Sequence, residues 1–521
     1  MGGATTLLRH ARRRADGLRS RYRAAGFWSD QPLDLVRVTA ARHPNRLAVV
    51  ARDADLTYAD LDERVDHAAG ALLAAGVGAG APLVVVAGND VGSVVAVHAA
   101  VRVDAVVLLV PRSAGPTQVA DILTRTGAEY GVAPGWTSAS GSAVRDACRW
   151  VDIADGSGGP VHSRPARAAD EPSFVLYTSG TTSRPKGVIH SLSTLAKASV
   201  NYVAAAGLDT RDRIFLISPL ASVTGVLQAL FIGPMLAAPV VLEDRWDPAA
   251  TGDLLLSSKA TWYGGPDRLL DRLLDEVVAR NERAPLRAVY LGGTMLDRRI
   301  VERVEDEFGI VVMRAYGSSE VPVSTSGLRT EPRQMRHADD GVALQDVEVR
   351  VGSAGDPGEC CIKGPHTFLG YTDAEDDASA FDGEWFRTGD VAELGDGRVR
   401  IVGRLKDIVI RNGMKIPAAE VEEAVAEIPG VRECAAYSVA DPSTGERLAV
   451  AMVLADDAEL SLADVTGALV SKGLPKWKLP EELVFWDEPL PLNANGKVPR
   501  NTLEARSAGR PRILADRLAA S

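Results

Sequence analysis

The stretch Phe174-Val-Leu-Tyr-Thr-Ser-Gly-Thr-Thr-Ser-Arg-Pro-Lys-Gly-Val-Ile-His190 sets an apolar strand directly before five small or hydroxylic residues, Thr178, Ser179, Gly180, Thr181 and Thr182, and then Lys186-Gly187. Polyphosphate needs hydrogen-bond donors at close range with no bulky side chain in the way. Glycine supplies permissive backbone, hydroxyls donate directly, and a lysine adds a compact positive charge. A polar surface loop has much the same composition, so this run alone decides nothing. The spacing G-x-x-x-x-G-K-S/T is absent, so the loop is not of the Walker type.

Outward from that loop, strands and helices alternate. Thr57-Tyr-Ala-Asp60 reads as a helix start, a hydroxyl cap with an acid three residues on. Leu61, Val65, Ala68, Ala69 and Leu72 then recur at helical spacing. Buried strands are expected over 83–87 and 105–110 with a helix over 91–103 between them, and further strands over 214–219, 238–242, 288–291 and 311–315. This alternation predicts a parallel, doubly wound α/β core. From about Gly341 the texture changes: Val347-Glu-Val-Arg-Val351 and Gly358-Glu-Cys-Cys-Ile-Lys363 alternate apolar with polar, the pattern of short antiparallel strands. After Arg404 a new α/β unit begins, with a helix over 417–428 and strands near 435–439 and 448–454.

A chain of 521 residues exceeds what one hydrophobic core usually organises. Its 58 basic and 69 acidic side chains leave a net charge of −11, which argues against a general nucleic-acid binder but not against a local anion site. Cys148, Cys360, Cys361 and Cys434 are too few and too oddly spaced for a disulfide framework or a zinc site; Cys360 and Cys361, neighbours in an alternating apolar stretch, are expected as buried free thiols, which fits a reducing cytosol. The most apolar segment, 226–242, is broken by Gln228, Gly233 and Pro234. It reads as a buried helix running into a strand, not as a membrane span. The start of the chain carries Arg9, Arg12, Arg13, Arg14, Arg19, Arg21 and Arg23 with only Asp16 opposed, and a solvated surface helix is expected there.

At Tyr177-Thr-Ser-Gly-Thr-Thr-Ser-Arg-Pro-Lys-Gly187 the chain resembles the signature loop of the acyl-CoA synthetase-like adenylate-forming superfamily, and its N-terminal stretch Tyr22-Arg-Ala-Ala-Gly-Phe-Trp28 resembles the aryl- and alicyclic-acid CoA ligase branch. Ser183 departs from the glycine usual there, which implies a stiffer loop. Four further motifs follow in that superfamily's order. Tyr316-Gly317-Ser-Ser319-Glu320 resembles its aromatic-Gly-x-Thr/Ser-Glu motif. Trp385-Phe-Arg-Thr-Gly-Asp390 and then Gly403-Arg404-Leu-Lys406-Asp407 resemble its ribose and hinge motifs. Leu492-Asn-Ala-Asn-Gly-Lys497-Val-Pro-Arg500 resembles its closing-lysine turn.

The resemblance implies roles. Thr178, Lys186, Glu320 and Lys497 form the catalytic set; Ser179, Gly180, Thr181, Thr182, Tyr316, Gly317, Ser319, Asp390 and Arg404 hold ATP. Glu320 helps to hold Mg²⁺, whose preference for hard oxygen ligands agrees with a carboxylate beside a triphosphate. The acid pocket falls on Ala221, Ser222, Val223, Tyr263, Gly264, Gly292 and Gly293, where glycines would leave room for a planar or cyclic group. Ala221-Ser222 stands where related CoA ligases usually have histidine, often preceded by an aromatic, and no aspartate for an amino acid's ammonium is evident.

The implied reaction adenylates an acid with loss of pyrophosphate. A small C-terminal domain then turns about Lys406, bringing Gly413 towards the thiol of CoA or of a carrier protein's pantetheine. Delivery to an amine, and activation of nitrite for diazotisation of an aromatic amine, are alternatives. The expected architecture is an extension over 1–27, then a large domain over 28–405 of doubly wound, mainly parallel sheets with a small β-barrel-like subdomain. A small mobile α+β domain over 406–503 and a tail over 504–521 follow. A cytoplasmic enzyme without nucleic-acid or membrane partners is expected.

Overall fold

The apolar runs expected as neighbouring strands do become neighbours. Pro82–Ala87 lies parallel to Val106–Pro111 in a register that pairs Leu83 with Val107 and Val85 with Leu109. Both strands are buried almost throughout, so they read in sequence as continuous apolar runs and not as alternation. The computed structural model describes residues 7–136, 144, 146–154, 159–161, 165–177, 184–292, 296, 298–492 and 498–519. The chain divides into two units: Met1–Val349 with Ile362–Phe386 and Gly397–Val399, and Arg350–Cys361 with Arg387–Asp396 and Arg400–Ser521.

The first unit carries two sheets. One runs in the order Gly370–Tyr371, Gly187–Ser191, Pro172–Tyr177, Val106–Pro111, Pro82–Ala87, Tyr130–Val132, Arg149–Trp150. Its strands are parallel except at the first two pairings, which are antiparallel. The second sheet is parallel from Leu47–Val50 through Val240–Leu242, Ile214–Leu216, Trp262–Gly265 and Ala288–Gly292 to Val311–Tyr316. Helices cover both. Tyr58–Ala74 starts with the expected capping box, Thr57 accepting from the Asp60 backbone while the Asp60 carboxylate accepts from that of Thr57. The apolar run 226–242 resolves into a fully buried π-helix Val226–Ile232, a turn of α-helix Gly233–Leu236 and the strand Val240–Leu242. Among the described residues no helix is long and apolar enough to cross a membrane.

The N-terminal helix, Arg9–Ala24, is not the solvated helix its arginines suggested. Leu8, Ala11, Ala15 and Tyr22 are buried in one core with Val84, Leu108, Tyr177, Ile189 and Leu369. Its arginines reach sideways to carboxylates: Arg19 and Arg23 both bond Asp170, whose side chain is fully buried. Composition predicted solvation, but small apolar residues on one face and long basic stems on the other allow the helix to dock while its charges stay paired.

The second unit is an α+β sandwich around the antiparallel pair Val431–Asp441 and Gly445–Leu454, both longer than the sequence indicated. Glu482–Trp486 adds a parallel strand, and Ala418–Ala426 covers one face. Residues 504–521, expected as a tail, contribute a strand of their own: Arg512–Leu514 pairs antiparallel with Glu482–Trp486. All four cysteines are free thiols; Cys360 and Cys361 are buried, and burial pushes the Cys360 thiol up to about 12.

Candidate active site

The loop-bearing stretch is a hairpin. Tyr177 pairs with Gly187 in the antiparallel register, so residues 178–186 bridge the two strand ends. Thr178, Ser179, Gly180, Thr181, Thr182 and Ser183 lie outside the described residues. The returning arm is held by carboxylates. Lys186 Nζ lies 3.0 Å from Asp376 Oδ1 and 5.0 Å from the centre of the Tyr371 ring. Arg184 sits 3.6 Å from Asp373 and 3.7 Å from Asp376. Arg125 donates to Asp373 at 2.9 Å and to the Pro185 carbonyl at 3.3 Å. Gly187 has no room for a side chain, since a Cβ there would meet Thr372 at 2.6 Å.

Tyr316 ends the central strand Val311–Tyr316, and the chain turns back at once. A Cβ on Gly317 would lie 2.4 Å from the Val323 nitrogen, which explains a glycine at this point of the motif. The turn presents Glu320, whose Oε1 accepts a 2.7 Å hydrogen bond from the Tyr371 hydroxyl. Burial, reinforced by the Glu320 charge, pushes the Tyr371 phenol well up, so it remains a donor. Tyr371 therefore joins the two predicted groups, with Glu320 on its hydroxyl and Lys186 against its ring.

His190 binds hairpin to turn. Its Nε2 donates to the Ser319 carbonyl at 2.7 Å, and its Nδ1 lies 2.9 Å from Thr194 Oγ1. Burial lowers its pKa to about 4. The ring is neutral at pH 7, protonated on Nε2 because a carbonyl can only accept.

The predicted acid-pocket stretches follow strands of the second sheet. Ser222 caps the short helix Val223–Gly225, accepting from the Gly225 N–H at 3.1 Å and donating to the Pro219 carbonyl at 2.7 Å. Ala221 is buried. Gly264 and Gly292 do not leave the room expected of them. A Cβ on Gly264 would meet Gln228 Nε2 at 2.3 Å and the Tyr202 hydroxyl at 2.6 Å, and one on Gly292 would meet the Ala315 carbonyl at 2.6 Å. The chain's own groups fill that space: Gln228 donates to the Gly264 carbonyl at 3.2 Å, and Trp262 Nε1 to the Tyr202 hydroxyl at 3.1 Å. Tyr263 is buried and donates to the Pro266 carbonyl at 2.7 Å. Gly293 lies outside the described residues.

In the second unit, Asp390 is buried and lies 3.3 Å from Arg404 Nε, so the two predicted ribose residues meet. Thr388 Oγ1 accepts from the Asp390 N–H at 3.1 Å and donates to the Cys360 carbonyl at 2.8 Å. Lys406 follows in a turn of 3₁₀-helix, and burial depresses its ammonium pKa. Asn412 (φ 51°) and Gly413 (φ 77°) form the tight turn between the paired strands Ile408–Arg411 and Met414–Pro417. That turn needs positive φ at both positions, which accounts for Asn-Gly without any ligand nearby. Lys497 lies outside the described residues; beyond it, Arg500 donates to Glu422 at 2.8 Å and to Asp407 at 3.4 Å.

Tyr371, Asp376 and His190 carry the first unit's arrangement, and sequence reasoning gave none of them a role. His190 stood inside the quoted loop; Tyr371 and Asp376 had no motif to mark them.

Comparison with known proteins gives the family of the chain. Residues 36–372 match the family model of AMP-binding enzymes, and residues 420–497 that of the AMP-binding enzyme C-terminal domain. The chain is 30% identical to a salicylyl-CoA synthase / salicylate adenylyltransferase of a Streptomyces species, covering 93% of this chain and 95% of that protein. It is 28% identical to the indoleacetate–CoA ligase of Aromatoleum aromaticum, over 88% and 94% of the two chains. Among solved structures, ATP-bound MatB from Rhodopseudomonas palustris matches with a TM-score of 0.81 and 25% identity, covering 92% of this chain and 99% of that one.

Proposed function

The chain belongs to the AMP-binding enzyme family, and from that membership we propose that it adenylates a compact aryl or cyclic carboxylic acid with ATP and passes the acyl group to the thiol of CoA. It is a ligase of the AMP-forming type. In the first step a carboxylate oxygen bonds to the α-phosphorus, the bond from that phosphorus to the bridging oxygen breaks, and pyrophosphate leaves. In the second, the thiol sulfur bonds to the acyl carbon and AMP departs. The likeness to the salicylyl-CoA synthase supports an aryl acid.

The observation that carries the proposal is the meeting of Glu320 and Lys186 on Tyr371, beside the hairpin whose sequence suits polyphosphate. Two anions must approach each other in the first step. Lys186, the hydroxyls of Thr178, Ser179, Thr181 and Thr182, and Lys497 offset that repulsion, and no side chain acts as nucleophile. Lys186 reaches the phosphates by exchanging Asp376 for a phosphate oxygen. Tyr316 stacks on adenine, and Asp390 with Arg404 holds the ribose. Glu320 would hold Mg²⁺ through its carboxylate, a hard oxygen ligand that suits the ion of a metal–triphosphate complex. The described residues hold no group of three His, Cys, Asp or Glu that would cage a metal alone. Such an ion supplies charge neutralisation on the triphosphate. Lys406 is the pivot of the C-terminal domain, and the turn at Gly413 is the segment that nears the thiol.

A second reading draws on the filled space behind Gly264 and the small Ser222 hydroxyl, both of which favour a small acid. Nitrite, activated for transfer to an aromatic amine, is its limiting case.

ATP–pyrophosphate exchange with aryl, alicyclic, fatty and amino acids, with nitrite and an aminoarene alongside, tests both. Exchange with an aryl or cyclic acid and a CoA-dependent product support the first; a CoA-independent, dinitrogen-bearing product supports the second. Acyl transfer only to a phosphopantetheinylated carrier or an amine would replace CoA as acceptor, and no exchange with any acid would end the proposal.

A further inference from the structure

We infer that Arg14, on the N-terminal helix, is a positioning residue of the nucleotide site, acting through the turn between Leu369 and Asp377; this rests on the adenylating function proposed above. Arg14 lies far in sequence from every group predicted to touch ATP, yet its side chain is three-quarters buried. It lies 3.4 Å from the centre of the Phe381 ring and donates to the Leu369 carbonyl at 3.0 Å and to Asp377 Oδ1 at 3.3 Å. The same carboxylate oxygen accepts the Tyr371 N–H at 3.1 Å. One carboxylate thus ties the helix to the backbone of the residue that carries Glu320 and Lys186.

The turn it grips is shaped for close contact. Gly370 has φ +136°, and a Cβ there would meet Asp377 Oδ1 at 2.6 Å and the Arg14 guanidinium at 3.1 Å. On one side of the turn Tyr371 holds Glu320, and on the other Asp376, next to Asp377, holds Lys186. Removing Arg14 leaves Asp377 as a poorly exposed carboxylate with its charge unanswered by the helix, and a loosened turn moves both nucleotide groups together. The helix is gripped a second time where Arg19 and Arg23 bond the buried Asp170, just before the strand Pro172–Tyr177 that leads into the phosphate hairpin. Lysine is a partial substitute only: it keeps the charge and could donate both hydrogen bonds, which Arg14 makes through Nη1 alone, but it loses the planar group over Phe381.

The contacts run to the nucleotide groups and not to the predicted acid pocket, so the effect falls on ATP. The test is equilibrium binding of ATP in magnesium chloride to the full chain, by calorimetry, with KM values for ATP and for the acid found by the exchange panel. Arg14→Gln weakens ATP binding and raises its KM roughly five-fold or more, as for a coupled network, while the KM of the acid stays the same. Arg14→Lys falls between, and the exposed neighbour's variant Arg13→Gln matches the unaltered chain. Unchanged ATP binding by Arg14→Gln, or an equal rise of both KM values, overturns the inference. If Arg14→Gln does not fold, Asp377→Asn cuts the same link and carries the same expectations. Failure of the unaltered chain to bind ATP would overturn the adenylating function itself, and this inference with it.

Discussion

The Tyr371 hydroxyl has one strong acceptor, the Glu320 carboxylate, and the ring that carries it lies against an ammonium. Deleting the hydroxyl leaves Glu320 free to rotate away from the phosphate hairpin while the Lys186 contact with the ring survives. Tyr371→Phe is therefore expected to lower pyrophosphate exchange by roughly ten-fold, the worth of one hydrogen bond to a charged group, and the loss should shrink as magnesium is raised. An unaltered exchange rate would remove Tyr371 from the site. The part proposed for Lys497 is different, since its charge would be needed only while the carboxylate and the α-phosphate are joining. Lys497→Ala should abolish adenylate formation and largely spare thioester formation from preformed acyl-AMP, as followed by CoA consumption. Equal loss of both steps would count against that role.

Among elements, the helix following the predicted acid stretch depends most on a missing side chain. A Cβ on Gly225 would sit 2.1 Å from the Pro219 carbonyl oxygen, inside any tolerable contact. Gly225→Ala must push backbone against backbone at the entry to a fully buried π-helix, and a loss of about 1–3 kcal/mol is expected, as for other overpacked sites. Urea unfolding reads it; an unshifted midpoint would mean that the Ser222 turn is softer than its hydrogen bonds indicate. The helix at 58–74 was fully legible, because a capping box and apolar spacing are local signals. The N-terminal helix was legible as a helix but not as a docked one. Its docking depends on Asp170, Leu369, Asp377 and Phe381, which no local pattern connects to it.

At the scale of the whole molecule, the first unit buries His98, His190 and His366 as neutral rings. Burial pulls the first two from 6.5 down to about 4 and the third to about 3. Each takes a proton near its ordinary value once the chain unfolds, so between about pH 6.5 and 4 the unfolded state binds more protons. Stability therefore falls as pH drops through that window, before most carboxylates titrate. The thermal midpoint should decline steadily from pH 7 to 4.5, and His366→Asn should flatten the decline. A midpoint constant down to pH 5 would contradict the burial of these rings.

The amino-acid sequence by itself determined the strand–helix alternation, the family and the order of the nucleotide motifs, because each is written in contiguous residues whose spacing reflects local backbone geometry. It could not announce that Tyr371 joins Glu320 to Lys186, that His190 props the Ser319 carbonyl, or that Gln228 and Tyr202 fill the space beside Gly264. Those facts are contacts between residues dozens to more than a hundred positions apart, and only the packing of one sheet's edge against another's turn brings such side chains within hydrogen-bond reach.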